Sequence, residues 1–315
     1  MGLDPKLKEI LDQLNAMPIP PLDMIPPELF RQVSKQGANP KAPIEAVKEE
    51  INKTIPLEGR DIPVRVYTPL EGEAPYPALV FYHGGGWVIG DLDSYDSICR
   101  HIANLAQCKV ISVDYRLAPE HKFPAAVNDA YDTFEWVVQH ARELELDPTR
   151  LAIGGDSAGG NLAAVTAIRE KENAQHNISF QWLLYPSTGY KNEEAPSLTE
   201  NAEGYFLTRE MMDWFRKHYL EKEEDILLPY ASPIFFNDFK GLPPALIVTA
   251  QFDPLRDIGK AYADELEGAG VSVRYKNYEG LIHGFMNFHT DVPAAQTAFV
   301  ESIAVLADHF GTGKG

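Results

Sequence analysis

Ser157, Asp253 and His283 are the side chains of this 315-residue chain whose types, order and settings could together transfer an acyl group. Ser157 lies in Gly155-Asp156-Ser157-Ala158-Gly159, after the apolar run Leu151-Ala152-Ile153 and before a helix-forming stretch. A G-x-S-x-G segment between strand and helix makes a sharp turn that lifts the serine hydroxyl above the strand ends, and only small neighbours let it close. Asp253 leaves the end of a second apolar run, Ala245 to Ala250. His283 lies in a loop beyond a third, Val271 to Tyr278, with Gly284 beside it. In such a set the imidazole takes the serine proton, while the carboxylate fixes the imidazole tautomer and stabilises the imidazolium.

The segment Tyr82-His83-Gly84-Gly85-Gly86-Trp87 follows another buried run, Ala78-Leu79-Val80-Phe81. Consecutive glycines let several N–H groups converge on one point with no Cβ in the way, which suits an oxyanion. Taken alone, either glycine motif also reads as an ordinary tight turn. Their joint occurrence with an ordered serine, aspartate and histidine favours chemistry. The elbow supplies one further donor, the Ala158 N–H.

Other residues compete for these roles. Asp257 falls on the first turn of the next helix, where an acid complements the helix dipole, so Asp253 is preferred. Asp156 points away from the serine hydroxyl at such an elbow and is read as a brace for the turn. His83 is read as structural, holding the glycine loop by a hydrogen bond. His101, His140, His176, His218 and His309 fall in helical or polar contexts, His121 in a glycine-free segment, and His289 beyond the triad loop. His283 alone has the strand–loop–glycine setting.

The elements that must position these groups alternate strand and helix, as a mostly parallel sheet requires. Strands are expected at 78–82, 109–114, 151–155, 179–185, 245–250 and 271–277, preceded by a hairpin around Leu57 to Asp61. Helices are expected at 5–16, 28–37, 94–107, 125–146, 159–173, 257–268 and 293–310, with a disordered Gly-Thr-Gly-Lys-Gly tail. Continuous apolar runs in the central strands indicate burial on both faces. Residues 187–241 interrupt the alternation. There, 205–220 reads as an amphipathic helix with Thr208 as N-cap. Its Phe206, Leu207, Met211, Met212 and Phe215 suit a lid over an apolar acyl pocket, because Met adapts to varied shapes. Ordinary packing of a helix on the sheet is the competing reading. Trp87, beside the glycine loop, has the same two readings. The division expected is cap helices in 1–45, a catalytic domain in 46–187 and 242–315, and a cap insertion in 188–241.

His83-Gly84-Gly85-Gly86, Asp114-Tyr115-Arg116-Leu117-Ala118-Pro119-Glu120, Gly154 to Asn161, Asp253-Pro254-Leu255 and His283-Gly284-Phe285 together resemble the successive motifs of the hormone-sensitive-lipase-like carboxylesterases. That family lies within the α/β-hydrolase superfamily. The opening, Leu3-Asp4-Pro5 and then Leu11-Asp12-Gln13-Leu14, is similar to the cap helix of its thermophilic bacterial and archaeal esterases. The resemblance implies an α/β-hydrolase fold, an eight-stranded, mostly parallel sheet with helices on both faces, and a helical cap. It also implies Gly85 and Gly86 as oxyanion donors beside Ala158. The activity implied is hydrolysis of short- to medium-chain esters through an acyl-enzyme, with no metal or organic cofactor. An amidase or lactonase using the same triad stays open, as does a non-catalytic binder on the same fold.

Composition narrows the partners. A formal charge of −18 without a basic stripe argues against nucleic acid and anionic membranes. Apolar residues at 44% suffice for a large buried sheet. Cys99 and Cys108 are too few for a disulfide framework and have no metal-ligand neighbours. With no apolar signal at the start and no span-length apolar segment, a cytoplasmic protein is expected. The partner expected is a small-molecule ester, and a homodimer is left open.

Overall fold

The apolar runs become the inner strands of one sheet. The computed structural model describes residues 2–18, 20–37, 44–175, 177–189, 191 and 195–313. Its strands are Glu49–Leu57 (β1), Arg60–Thr68 (β2), Tyr76–Tyr82 (β3), Lys109–Val113 (β4), Leu146–Asp156 (β5), Ile178–Leu184 (β6), Ala245–Phe252 (β7) and Val273–Ile282 (β8). They lie in the order β1-β2-β4-β3-β5-β6-β7-β8. β2 runs antiparallel to both β1 and β4, and every other neighbouring pair is parallel. β3 and β4 are buried along their whole lengths, as strands covered on both faces must be.

Parallel neighbours need crossovers, and helices supply them. Asp96–Ala106 (α3) and Pro293–Phe310 (α9) cover one face, where Leu79, Phe81, Ile102, Trp182, Phe299 and Leu306 share a core. Ala125–Gln139 (α4), Ala158–Glu172 (α5) and Arg256–Gly268 (α8) cover the other, around Val80, Phe134, Ile153, Leu162, Ile247 and Tyr262. The indole of Trp182 donates to Ser302 O at 2.8 Å, so its one polar atom is satisfied inside the core. No helix of the described residues is long and apolar enough to cross a membrane.

Outside the sheet, Pro5–Asn15 opens the chain. Asp4 caps it by accepting from Lys6 N and Leu7 N, and its Leu7 and Leu11 are buried in the α9 core. We number it α1. Pro27–Gly37 (α2) follows, and Ser197–Glu200 (α6) and Arg209–Tyr219 (α7) come after β6. Thr208 is extended and accepts from Met211 N, the capping expected from sequence.

Three local expectations are corrected. The helix begun at Ala125 ends at Gln139, not near 146, and Leu146 already pairs with Tyr76 in the sheet. Pro148 disfavours helical backbone at Asp147, so the helix must stop upstream. Tyr205 to Leu207 lie outside α7, because the extended Thr208 cap starts the helix after them. The tail is ordered through Gly313: Thr312 N donates to Ala307 O at 2.9 Å and its hydroxyl to Ala106 O at 2.7 Å, closing the ends of α9 and α3. Residues 314 and 315 lie outside the described residues, as does His176.

One carboxyl pair, with one member buried, sets a pH dependence. Glu170 of α5 is 2% exposed and faces Glu135 of α4, and an oxygen of each lacks any other hydrogen-bond partner. Burial and the hydrogen bond to Glu135 hold the Glu170 proton well above the usual carboxylate range. The native state therefore keeps a proton that the unfolded chain releases above about pH 4.5, so this pair costs stability as pH rises from there. Glu170→Gln donates to Glu135 without titrating. Its melting temperature relative to the native sequence should rise between pH 5 and pH 8.5; an equal difference at both would show that no proton is shared.

Candidate active site

Ser157 follows the last residue of β5 and caps α5 in backbone that side chains rarely adopt, φ 55° and ψ −116°. It stays tied to the sheet, because Ser157 N still donates to Leu184 O of β6 at 2.9 Å. Two residues on, Gly159 lies so close to Tyr82 O that any Cβ there would overlap it, so the elbow closes only with glycine.

The three candidate side chains come together at the sheet's C-terminal edge. His283 Nε2 lies 2.9 Å from Ser157 Oγ, and its Nδ1 lies 2.7 Å from Asp253 Oδ2. Asp253 is fully buried, and its other oxygen accepts from Leu255 N at 2.7 Å. With a carboxylate on Nδ1, the neutral ring carries its proton there and offers Nε2 as acceptor to the serine hydroxyl. β8 runs on to Ile282, so His283 is delivered directly by a strand end rather than from within a loop. The Tyr185 ring meets the His283 ring edge-on at 4.8 Å, limiting its swing.

Asp257 is engaged elsewhere. It accepts from Arg256 Nε at 2.8 Å and Ser197 N at 2.9 Å. Burial opposes its ionisation, but these donors prevail and hold its carboxyl below the ordinary range.

The glycine loop is held from below. His83 is fully buried, which pushes its pKa down to about 4, so the ring is neutral near pH 7. Its Nδ1–H donates to Gly84 O at 2.7 Å, and Tyr115 stacks on the ring at 4.3 Å. Among the described residues no acceptor engages Gly85 N–H or Gly86 N–H. Ala158 opens α5, where first-turn N–H groups lack intrahelical acceptors. Gly85, Gly86 and Ala158 are the residues that sequence and resemblance suggest as oxyanion donors.

The remaining candidates divide. Gly86 has φ +59°, and the Phe215 ring of α7 lies directly against the space a side chain there would occupy. Phe215 in turn meets Phe30 of α2 at 5.8 Å. Trp87 is buried and stacked on Tyr219 at 4.2 Å. Phe206 is exposed and packs on Phe288, beside Gly284. Leu207 is buried in a separate cluster with Leu198, Leu255 and Ile258; Met212 packs against that cluster, and Met211 bridges it to the main core.

Sequence reasoning missed Phe30, which no local motif marks, and Asn201, whose amide donates to Asp253 O at 3.1 Å. Tyr185 was findable, since β6 ends beside the elbow strand and strand ends line sites in such sheets. Among the described residues no three His, Cys, Asp or Glu side chains are grouped to hold a metal ion.

Residues 79–287 match the family model described as an alpha/beta hydrolase fold. Along 308 residues, 96% of this chain and 95% of the relative, the sequence is 41% identical to the carboxylesterase NlhH of Mycobacterium tuberculosis. The chain belongs to the α/β-hydrolase family of carboxylesterases. An arylesterase of Saccharolobus solfataricus is 34% identical over 91% of this chain and 93% of its own length. Among solved structures, the hyperthermophilic esterase of the archaeon Pyrobaculum calidifontis is 42% identical with a TM-score of 0.90, covering 98% of this chain and 99% of that one. An ester hydrolase from the Lake Arreo metagenome, in complex with a bipyridine phosphonate derivative, is 42% identical with a TM-score of 0.94, covering 98% and 100%.

The two acids can be separated in solution. Asp253→Asn should lower kcat by up to about 10⁴-fold, as when a triad carboxylate no longer fixes the histidine tautomer. Asp257→Asn should be mild. Steady-state ester hydrolysis by both variants ranks them, and the reverse order would transfer the role to Asp257.

Proposed function

We propose that this esterase is a serine carboxylesterase of the hormone-sensitive-lipase-like branch, acting on short- to medium-chain esters through Ser157, His283 and Asp253. The observation that carries the reading is the unbroken hydrogen-bond line from Asp253 through His283 to Ser157, at 2.7 and 2.9 Å, beside two free glycine N–H groups.

The steps follow from that line. Ser157 Oγ attacks the ester carbonyl carbon as His283 Nε2 takes its proton, and Asp253 stabilises the imidazolium formed. The carbonyl oxygen becomes an oxyanion received by the N–H groups of Gly85, Gly86 and Ala158. Each such donor is worth about 2.7–4 kcal/mol in the transition state. Collapse expels the alcohol, which takes the proton from His283. Water, deprotonated by the same imidazole, then attacks the acyl-enzyme, and Ser157 leaves with the proton.

Residues 1–45 and 188–241 act as a cap over the domain formed by 46–187 and 242–315. Supporting this division, α2 and α7 meet through Phe30 and Phe215 on the oxyanion loop itself. A wall of that kind limits acyl length. Each buried methylene contributes about 0.8 kcal/mol while it fits, so activity should peak at acyl chains of about four to eight carbons and fall beyond them.

Two measurements test the reading. Ser157→Ala should lose roughly 10⁴- to 10⁶-fold in kcat with its melting temperature kept, and a fluorophosphonate should label the native chain at Ser157 alone. Near-native turnover by the folded variant would overturn the assignment. In a p-nitrophenyl ester series, Met211→Ala or Met212→Ala should move the preferred acyl length. An unchanged length profile in folded variants would leave both methionines as packing. Faster cleavage of matched amides or lactones than of esters would point to the other acyl-transfer chemistry.

A further inference from the structure

The proton relay makes no use of Asp156, a carboxylate only 2% exposed one residue before the nucleophile. Among the described residues it pairs with no lysine or arginine. Its partners are neutral donors: Gly84 N–H at 2.7 Å to Oδ1 and the Tyr95 hydroxyl at 3.2 Å to Oδ2. Gly84 N also lies 3.0 Å from the Tyr95 oxygen, so the three residues close a ring of contacts. Burial pushes the Asp156 pKa up to about 6, with the Gly84 N–H opposing. Holding an unpaired carboxylate here is costly.

The three oxyanion donors come from two separate pieces of chain. Ala158 N–H belongs to the elbow, whereas Gly85 and Gly86 belong to the loop after β3. The ladder between β3 and β5 ends at the pair Tyr82 and Gly155. Beyond it, among the described residues, the hydrogen bond joining loop to elbow is Gly84 N–H to Asp156 Oδ1. The other supports of the loop lead away from the elbow. His83 bonds within the loop, Tyr115 donates to His83 O at 2.8 Å, and Arg31 of α2 donates to Val88 O at 2.7 Å.

We propose that Asp156 is a positioning residue for ester hydrolysis: by gripping Gly84 N–H it holds the Gly85 and Gly86 donors in register with the Ala158 donor. This rests on the esterase reading above. Oxyanion donors act only when placed about 2.7–3.1 Å from the oxygen as it becomes charged. Loosening the loop therefore weakens contacts made in the transition state and leaves substrate binding nearly unchanged. Acceptance of the Gly84 hydrogen bond is what matters, and an amide oxygen still supplies an acceptor, without the charge.

The test compares Asp156→Ala, which removes the acceptor, with Asp156→Asn, which keeps it without the charge. Asp156→Leu removes the acceptor while refilling the space, so a packing defect in the alanine variant does not decide the outcome. Three quantities are measured: kcat per serine titrated by a fluorophosphonate, KM, and inhibition by an aliphatic trifluoromethyl ketone. That ketone forms a tetrahedral adduct in which Ser157 Oγ bonds the carbonyl carbon, His283 takes the proton and the carbonyl oxygen becomes the anion.

The alanine and leucine variants should lose about 10- to 100-fold in kcat, with KM within about twofold. Their affinity for the ketone should fall by the same factor as kcat/KM. The asparagine variant should stay within about threefold of the native chain in all three. An unchanged kcat per labelled serine in the alanine and leucine variants overturns the proposal. So does an asparagine variant as impaired as alanine, or a loss confined to KM. If fluorophosphonate fails to label Ser157 in the native chain, the esterase reading itself falls. Normal labelling without the kcat-against-KM split removes this inference alone.

Discussion

Everything in this site depends on one strained residue held at the ends of three neighbouring parallel strands. Ser157 has φ 55° and ψ −116°, a conformation that costs on the order of 1–3 kcal/mol and persists only when its surroundings impose it. They do so from both sides. On one, Ser157 N bonds Leu184 O of β6; on the other, Gly159 is pressed against Tyr82 O of β3. The strain sets the serine hydroxyl above the sheet and starts α5 immediately after it, so that the proposed nucleophile and the proposed oxyanion donor Ala158 share one turn of chain. The cost falls on the sheet, whose buried strands β3, β5 and β6 cannot shift without disturbing both cores.

The rest of the machinery arrives from strands further along the sheet. β7 ends at Phe252, just before Asp253, and β8 at Ile282, just before His283, and their parallel pairing fixes the spacing between the two side chains. Distances of 2.7 and 2.9 Å are therefore consequences of register, trimmed by small local restraints. Leu255 N and the Asn201 amide hold the aspartate loop, and the Tyr185 ring meets the imidazole edge-on. Beneath the glycine loop, polar groups replace apolar packing. His83, Tyr95, Tyr115 and Asp156 are all buried and joined through backbone N–H and C=O groups. Such a network is rigid because each member, once displaced, would strand a buried polar atom.

The aromatic side chains Phe30, Trp214 and Phe215 join α2 to α7 and rest on the oxyanion loop at Gly86. The proposed substrate wall is thus in direct contact with a proposed oxyanion donor. Changes in α2 or α7 are expected to reach catalysis as well as selectivity, through contact rather than through any transmitted motion. Arg31 adds a polar tie, donating to Val88 O and Ala118 O while pairing with Glu120, and so anchors α2 to the chain that follows the glycine loop.

What the sequence determined by itself was the local grammar. Continuous apolar runs specified strands buried on both faces. The glycines around Ser157 marked the only backbone that can turn so sharply, and the chain order of serine, aspartate and histidine placed them after the ends of β5, β7 and β8. Thr208 announced the start of α7 because a side-chain cap is a local interaction. Tertiary structure decided whatever depends on which side chains meet across the fold. It turned Asp257 towards Arg256 and Ser197, seated Leu207 with Leu255 and Ile258, brought Phe30 against Phe215, and docked Thr312 on the end of α3. It also aimed Asp156 at Gly84, a contact between residues 72 positions apart. Backbone propensity acts over a few residues and can be read along the chain. Packing and long-range hydrogen bonds are settled only when the sheet closes and each side chain takes the neighbour that its geometry allows.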